Sequence, residues 1–288
     1  MDARDLAALP RRRTTMCGAP RRKEPHLMFA EPAIDLRSNL FDVTGKRTVV
    51  TGASRGIGRA LALAFAAQGA QVFAVARSAD GLAETRQQSA GYPGSLVTHQ
   101  ADLRHPDQIE GTVAAAVAEL GGIDILVNNA GYDVEHTVEE TSIEEWNDVI
   151  DLNLRSTFLL CKAASPHLKE GGGKVVNIAS MLGHIAIRGD VAYIASKHGV
   201  VGLTRALALD WARSGVNVNA VGPGFVKTDM LASALEDEAA QRYIKRQTPL
   251  GRWAVPEEMA GAVLFLASAA SDFMTGQMIL VDGGVTAQ

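Results

Sequence analysis

Two residues that could share a proton, Tyr193 and Lys197, stand four positions apart in the segment AYIASKHG. Because positions i and i+4 lie on the same face of a helix, the phenol and the ammonium can converge. A nearby cation lowers the pKa of a phenol below its ordinary value of about 10, which makes Tyr193 a candidate acid/base. The same spacing is typical of a tyrosine that merely packs on a helix surface, so the surrounding sequence must decide.

A second group with chemical potential is the glycine-rich stretch TGASRGIG at residues 51–58. Gly52, Gly56 and Gly58 remove side chains where a backbone turns sharply and approaches a ligand. The helix that follows offers free N–H groups and a positive dipole end, which bind phosphate. The spacing is G-x-x-x-G-x-G rather than G-x-G-x-x-G. Taken alone, three glycines here are also consistent with a tight strand–helix connection.

The composition limits the class of protein. The chain has 288 residues, 47% of them hydrophobic, and a formal net charge of −4. This length accommodates one large α/β domain or two small ones, and the charge argues against a nucleic-acid partner. No apolar run approaches the roughly 20 residues of a membrane span, so no membrane partner is expected. Cys17 and Cys161 are not expected to form a disulfide, which fits a reducing cytoplasm. We predict no metal site.

Residues 1–38 differ from the rest of the chain. They are rich in Arg, Lys and Pro and poor in apolar residues, so we predict a flexible, basic N-terminal extension. The stretch lacks the roughly 7–15-residue apolar segment of a secretory signal, and its acidic residues weaken the alternative of a transit peptide. Met16 and Met28 are alternative translation starts.

From residue 46 onward, short β-branched runs alternate with helical periodicity. Strands are predicted within residues 46–53, 71–77, 95–102, 123–131, 173–180, 216–224 and 276–284. Helices are predicted at residues 58–70, 79–90, 106–120, 142–168 with a break near Pro166, 192–213, 229–246 and 256–268. This alternation predicts a single α/β domain over 39–288, a doubly wound parallel sheet with helices on both faces.

Several motifs occur in a fixed order along these elements: T-G-x-x-x-G-x-G at Thr51–Gly58, N-N-A-G at Asn128–Gly131, Ser180 thirteen residues before Tyr193, and P-G at Pro223–Gly224. This set resembles the short-chain dehydrogenase/reductase superfamily over about residues 42–286. The segment TPLGRWAVPEEMAGAVLFLAS resembles its gluconate 5-dehydrogenase-like branch, and 3-oxoacyl-carrier reductases are the other similar branch. The resemblance implies a Rossmann-like fold and an oxidoreductase that interconverts a carbonyl and a secondary alcohol.

The resemblance also implies catalytic roles. Tyr193 would donate its proton to a carbonyl, and Lys197 would hold the nicotinamide ribose and lower the pKa of Tyr193. An oxidised, positively charged nicotinamide would lower that pKa further. Ser180 would hydrogen-bond the substrate oxygen, with the alternative of a turn cap. Asn153 would hold a water that relays protons to Lys197, with the alternative of a bond to a bent helix backbone.

The expected cofactor is NADP(H), with NAD(H) as an alternative. The second strand ends in Ala76 and Arg77, where an NAD enzyme usually places a carboxylate for the ribose 2′-hydroxyl. A guanidinium there can bind a 2′-phosphate, and Arg55 can reach the same group. Asn128 is expected to stabilise the central sheet. By resemblance, the cofactor-binding residues are Gly52, Ser54, Arg55, Gly56, Ile57, Gly58, Arg77, Asp102, Leu103, Asn129, Ala130, Gly131, Tyr193, Lys197, Pro223, Gly224, Val226 and Thr228.

The substrate is a small molecule whose identity the motifs leave open. Ser180, Tyr193, His184 and Tyr132 are the expected substrate contacts, beneath a lid at about 227–250. A small polar ketone, sugar acid or polyol is favoured, partly because His184, Arg188 and Lys227 are available to a carboxylate or hydroxyls. The alternatives are a 3-oxoacyl-carrier-protein reductase and a nucleotide-binding regulator without catalysis.

The expected assembly is a homotetramer. Helices 154–165 and 196–213 carry apolar residues beyond one core-facing stripe, and in the family these two helices pair across a two-fold axis. The apolar residues in question are Leu159, Leu160, Ala163, Val200, Leu203, Ala206 and Leu207.

Overall fold

Seven parallel strands form one sheet in the order β3-β2-β1-β4-β5-β6-β7. They lie within residues 39–288, the part of the chain that this computed structural model describes. The strands are β1 (Arg47–Thr51), β2 (Gln71–Ala76), β3 (Ser95–Gln100), β4 (Ile125–Asn128), β5 (Lys174–Ile178), β6 (Asn217–Pro223) and β7 (Met278–Val281). The extension predicted at 1–38, which includes Cys17, lies outside the described residues.

Helices cover both faces of this sheet. They are α1 (Gly56–Ala67), α2 (Ala79–Gln88), α3 (Pro106–Leu120), α4 (Ile143–Ile150), α5 (Ser156–Gly171), α6 (Val191–Trp211), α7 (Ala232–Glu236), α8 (Glu238–Gln247) and α9 (Ala260–Ala267). One apolar core joins the sheet to α1 and α9 and includes Phe65 and Leu266. The other joins it to α3, α5 and α6 and includes Leu160, Leu168 and Trp211. The predicted doubly wound α/β architecture is confirmed.

The strand order creates one crevice at the carboxyl edge of the sheet. From β1 the chain builds outward through β2 to β3 and then returns to place β4 on the other side of β1. In open parallel sheets, ligands bind where the order reverses in this way. The segments that follow β1, β4, β5 and β6 therefore define the place to look for a site. Within 39–288, no helix is both long and apolar enough to cross a bilayer.

The predicted helical stretch 142–168 consists of three pieces. A π-helical segment, Asp151–Arg155, separates α4 from α5. The expected break near Pro166 is wrong, because α5 continues through it to Gly171. Proline has no N–H to donate to the carbonyl of Lys162, but the Ser165 hydroxyl donates to that oxygen at 2.9 Å. This bond gives the Lys162 carbonyl a donor, so the proline leaves no unpaired acceptor at that point of the helix.

A line of buried polar side chains joins the sheet to α6 below the crevice. Asn128 donates to the side-chain oxygen of Asn177 at 2.8 Å, and Asn177 donates to the Thr204 hydroxyl at 2.9 Å. Asn128 also donates to the sulfur of Cys161, a free and buried thiol. The bond between Asn128 and Asn177 crosses from β4 to β5, so it ties the two central strands together as expected for Asn128.

The outer surfaces of α5 and α6 differ in part from the expected ones. Leu160, Val200 and Leu207 are buried in the core of the protein itself, so they are not available to a second chain. Of the other expected residues, Ala206 is exposed and Leu159, Ala163 and Leu203 are partly buried. The large apolar side chains that reach the surface are Phe158 on α5 and Leu209 on α6, which is 81% exposed. The core-facing stripe of each helix is wider than expected, because it includes Leu160, Val200 and Leu207.

Candidate active site

Tyr193 and Lys197 converge at the start of α6, beside the end of β5. Lys197 is almost fully buried, and its Nζ donates to the carbonyl oxygen of Ile178 at 2.9 Å. The same Nζ lies 5.4 Å from the centre of the Tyr193 ring. The i, i+4 spacing thus places the ammonium against the phenol, with the last carbonyl of a central strand as its fixed partner.

Burial controls the protonation of both groups. It lowers the pKa of Lys197 to about 8, although the nearby Asp133 carboxylate opposes this shift. Burial raises the pKa of Tyr193 above its ordinary value, Asp133 and Asp190 add to the rise, and the Ser180 hydroxyl opposes it. In the protein without cofactor, burial therefore outweighs any lowering of the Tyr193 pKa by Lys197, and the lowering expected from Lys197 stays a prediction. Tyr193 keeps its proton at neutral pH and can donate it.

Ser180 lies at the mouth of the crevice, two residues after β5 ends. Its Oγ accepts a hydrogen bond from the N–H of Leu182 at 3.0 Å and starts the 3₁₀ turn Met181–Gly183. The capping role weighed as an alternative is therefore present. It uses only an acceptor position of the hydroxyl, so the O–H group of Ser180 can still donate to a substrate oxygen.

Asn153 lies in the π-helical segment and is almost fully buried. Its amide donates to the carbonyl of Tyr132 and the hydroxyl of Ser196, each at 3.0 Å, and its oxygen accepts from the N–H of Tyr132 at 3.0 Å. The side chain therefore holds the loop after β4, not the bent helix itself. Single π-helical turns are frequent at functional sites because they re-aim a side chain.

The glycine-rich loop between β1 and α1 fits a dinucleotide pyrophosphate. Gly52 and Gly56 adopt φ of +68° and +52°, which disfavours other residues. A Cβ on Gly52 would lie 2.7 Å from the amide nitrogen of Asn129, which donates to the Thr51 carbonyl. The residue before α1, Arg55, provides no side-chain cap, so the first N–H groups of α1 remain available to a phosphate.

A basic side chain fits the predicted position of a 2′-phosphate at the end of β2. Arg77 is largely exposed, and its guanidinium lies 3.9 Å from Asp102. Arg104 binds Asp102 more closely, at 2.7 Å, and its hydrogen bonds lower the pKa of Asp102 to about 2. Because Arg104 offsets the charge of Asp102, Arg77 remains available to an anion. Arg55 pairs with the exposed Asp229 at 3.2 Å.

The other predicted cofactor residues follow the same edge of the sheet. Ala130 donates its N–H to the Thr51 hydroxyl at 3.0 Å, and the Thr228 side chain faces Gly56. Val226 is buried and pairs with Ala254 in an isolated bridge. The remainder lie in the segments that follow β1, β3, β4 and β6 or at the end of β6: Ser54, Ile57, Gly58, Leu103, Gly131, Pro223 and Gly224.

The two predicted substrate contacts outside the catalytic group lie in different surroundings. Tyr132 is half-buried, and the charged groups that act on its hydroxyl are Asp148, Arg104 and Glu145. None of these belongs to the group formed by Ser180, Tyr193 and Lys197. His184 is exposed just after the turn that begins at Ser180.

The sequence analysis missed two carboxylates beside the catalytic group. Asp190 immediately precedes α6 and is 6% exposed, and within 39–288 its carboxylate makes no hydrogen bond. Asp133 follows the N-N-A-G motif, and its Oδ1 is buried without a partner. Burial raises the pKa of Asp133 to about 7 and that of Asp190 to about 6. Their only sequence signal is proximity to the two motifs, at Gly131 and Tyr193.

Comparison with known proteins agrees with this geometry. Residues 52–286 match the sequence profile of the family described as Enoyl-(Acyl carrier protein) reductase. Gluconate 5-dehydrogenase from Gluconobacter oxydans is 39% identical over 251 residues, which cover 86% of this chain and 97% of that protein. D-threitol dehydrogenase from Mycolicibacterium smegmatis is 39% identical over 247 residues, which cover 85% and 95%.

A solved structure extends the similarity to three dimensions. The gluconate 5-dehydrogenase from Burkholderia cenocepacia, in complex with NADP and tartrate, is 33% identical and superposes with a TM-score of 0.81. The match covers 86% of this chain and 98% of that one. Sequence profile, relatives and structure therefore agree on one family.

Replacing Asp133 with Asn is expected to stabilise the folded protein at pH 8 but not at pH 4. The pKa of Asp133 is about 7 in the folded state against an ordinary value of 3.8. The folded protein therefore keeps a proton that the unfolded chain releases, and its stability falls as the pH rises through that window. Asparagine does not ionise, so the melting temperature of Asp133→Asn should increasingly exceed that of the wild type up to about pH 7.

The measurement is a series of thermal melts from pH 4 to 8, in which each kcal/mol moves the midpoint by about 2–4 °C. The exposed Asp210, changed to Asn, serves as the matched control. A difference between Asp133→Asn and wild type that stays constant across the series would contradict the shifted pKa.

Proposed function

This chain belongs to the short-chain dehydrogenase/reductase superfamily of NAD(P)-dependent dehydrogenases and reductases, and within it we propose an NADP(H)-dependent enzyme. The proposed substrate is a small polar ketone, a sugar acid or a polyol. The reaction interconverts a carbonyl and a secondary alcohol of that substrate. The observation that carries the proposal is the convergence of Tyr193 and Lys197 with Ser180. The names of the relatives, which include gluconate and threitol dehydrogenases, support the class of substrate.

The proton in this reaction belongs to Tyr193. During reduction, the phenol donates it to the carbonyl oxygen, and the Ser180 hydroxyl donates a hydrogen bond to the same oxygen, which stabilises the developing negative charge. The bound nicotinamide supplies the hydride. In the oxidation direction, Tyr193 takes the proton back from the alcohol.

Lys197 prepares the site for this transfer. One of its three N–H groups donates to the Ile178 carbonyl, so two remain for ribose hydroxyls and for the phenolate that Tyr193 becomes. Its buried charge stabilises that phenolate strongly, because little water screens it. Asn153 acts on this group through the loop after β4. The water relay that the family resemblance implies for Asn153 remains a proposal.

NADP(H) is the proposed cofactor rather than NAD(H). Arg77 at the end of β2 matches a 2′-phosphate, whereas no carboxylate follows that strand at the position of Ala76 and Arg77. The bound NADP of the Burkholderia cenocepacia relative supports this choice.

Two alternatives carry less support. A 3-oxoacyl-carrier-protein reductase would dock an acidic carrier, and the exposed Leu209 stands where such enzymes often have an Arg. A non-catalytic regulator would not need the complete set of Ser180, Tyr193 and Lys197. The proposed assembly is a homotetramer that buries Phe158 of α5. The cytoplasmic location remains an expectation from the cysteine content.

Tyr193→Phe should abolish turnover and leave NADPH binding intact, because only the hydroxyl moves a proton. A positioned acid contributes about 10²–10⁴-fold, so the rate should fall by at least that factor. The rate and the cofactor affinity are measured separately, with Tyr243→Phe on the exposed face of α8 as the matched control. More than about a tenth of the wild-type rate in Tyr193→Phe would refute the assignment.

Arg77→Asp should shift cofactor preference toward NAD, because it removes the partner of the 2′-phosphate and supplies an acceptor for the 2′-hydroxyl. The ratio of kcat/KM with NADP to that with NAD is expected to fall by at least tenfold. Arg86→Asp, on the exposed face of α2, is the control for a general change of charge. An unchanged ratio in Arg77→Asp would show that another residue selects the cofactor.

Light scattering at micromolar concentration should give the mass of four chains. Phe158→Arg should lower that mass, because a charge buried without a partner in an apolar interface is strongly destabilising. Leu250→Arg, at another exposed apolar position, is the matched control. A wild-type monomer would contradict the proposed assembly.

A further inference from the structure

Asp133 and Asp190 act on the Tyr193 phenol and Glu135 acts on both of them, and we define these three carboxylates as the acidic wall. We propose that the acidic wall selects a neutral polyhydroxy substrate, a polyol or its ketose, and rejects the sugar acid of the same length. This inference rests on the proposed function and narrows its substrate class.

The chain positions the wall next to the reacting groups. Asp190 precedes Tyr193 by three residues at the start of α6, and positions i and i+3 share a helix face. Asp133 follows Gly131 by two residues, and a Cβ on Gly131 would lie 3.5 Å from the Nζ of Lys197. Both carboxylates are near enough to act on the Tyr193 phenol. A substrate whose carbonyl meets Tyr193 therefore comes within electrostatic range of both.

Within 39–288, one oxygen of the acidic wall, Oδ1 of Asp133, lacks the partner that a buried oxygen normally has. Asp190 is 6% exposed, yet its side chain neither caps α6 nor makes any other hydrogen bond in the same part of the chain. Nearly all buried polar atoms are hydrogen-bonded, so such an acceptor points to a ligand that brings donors. Hydroxyl groups are donors, whereas a carboxylate is not.

The charges around the wall do not compensate it. Lys197 is the cation that acts on Asp133, whereas Asp190 and Glu135 act on it with the same sign as its own. The neighbour that acts on Asp190 is Glu135, again a like charge. The basic residues initially considered for a carboxylate, His184, Arg188 and Lys227, are all exposed on loops. An anionic substrate would therefore lie against unbalanced negative charge in a poorly screened site.

Protonation of the wall favours a neutral ligand over a cationic one. The pKa values of Asp133 and Asp190, about 7 and about 6, leave Asp133 partly protonated near neutral pH, while Asp190 is mostly ionised and keeps the wall negative. A carboxyl that holds a proton can both donate and accept, as a hydroxyl does. Hydroxyl groups suit such a pair better than an ammonium group, because a hydroxyl both donates and accepts whereas an ammonium group only donates.

The test compares ligands that differ only at one terminal carbon: D-glucitol with D-gluconate, and D-threitol with D-threonate. Calorimetry gives the affinity of each for the full chain saturated with NADP⁺, and NADPH formation gives kcat/KM. We expect the polyol to bind at least tenfold more tightly than the aldonate in at least one pair. Asp190→Asn and Asp133→Asn should each reduce that preference by at least threefold. Asp210→Asn, an exposed aspartate on α6, should leave it unchanged.

The binding measurements test the acidic wall, and the turnover measurements test the proposed function. Tighter binding of the aldonate, no measurable binding of either polyol, or an unchanged preference in folded Asp190→Asn and Asp133→Asn would overturn the acidic wall. Thermal melts show whether each variant folds. If neither asparagine variant folds, the test uses Asp190→Glu, which keeps the charge and must therefore keep the preference for the polyol. A second outcome is that the polyol binds preferentially, but none of the four ligands yields NADPH and none of their ketones consumes it. That outcome would leave the acidic wall intact and count against the proposed function.

Discussion

The buried ammonium of Lys197 is the constraint around which the active site is arranged. A charge that leaves water requires fixed partners, and Lys197 has one in the terminal carbonyl of β5. That bond fixes the start of α6 against the centre of the sheet and sets the position of the Tyr193 ring above the ammonium. A Cβ on Gly131 would lie 3.5 Å from the same Nζ and only 3.0 Å from the side-chain oxygen of Asn153, so the loop passes close to both. The loop after β4 and the helix after β5 therefore meet at one point.

Buried hydrogen bonds hold the elements around that meeting point in place. Asn153 can hold the loop after β4 because a π-helical turn brings its amide to the backbone of Tyr132. The buried bonds that link Asn128, Asn177 and Thr204 tie β4, β5 and α6 together beneath it. At the other end of the crevice, the glycine-rich loop presents backbone N–H groups instead of side chains. The two ends together accommodate a long ligand with phosphates at one end and a reactive ring at the other.

Much of the fold could be predicted from the sequence because strands buried on both faces read as short apolar runs between helices. The glycines, Tyr193 and Lys197 were found for a similar reason, since their spacing along the chain determines their geometry. Effects that depend on surroundings were missed. The helix continues at Pro166 because a neighbouring hydroxyl replaces the lost donor. The pKa of Tyr193 rises because burial outweighs the nearby cation, and burial depends on every element that packs around it.

The acidic wall was also beyond the sequence, because Asp133 and Asp190 are far apart in the chain and no motif contains them. An isolated aspartate beside a motif normally lies in solvent. Only the fold shows that Asp190 is enclosed and that both carboxylates act on the same phenol. The general motif therefore defines the chemistry of the site, and the residues around it define what the site accepts.

Direct titration of the Tyr193 phenol tests the central claim that burial, rather than Lys197, sets its protonation in the free protein. The chain has four tyrosines, so the absorbance difference near 295 nm between wild type and Tyr193→Phe isolates this one. We expect no ionisation of Tyr193 up to pH 10 in the free protein and a step below pH 10 once saturating NADP⁺ adds its positive charge. A step below pH 10 in the free protein, absent from Tyr193→Phe, would contradict the account.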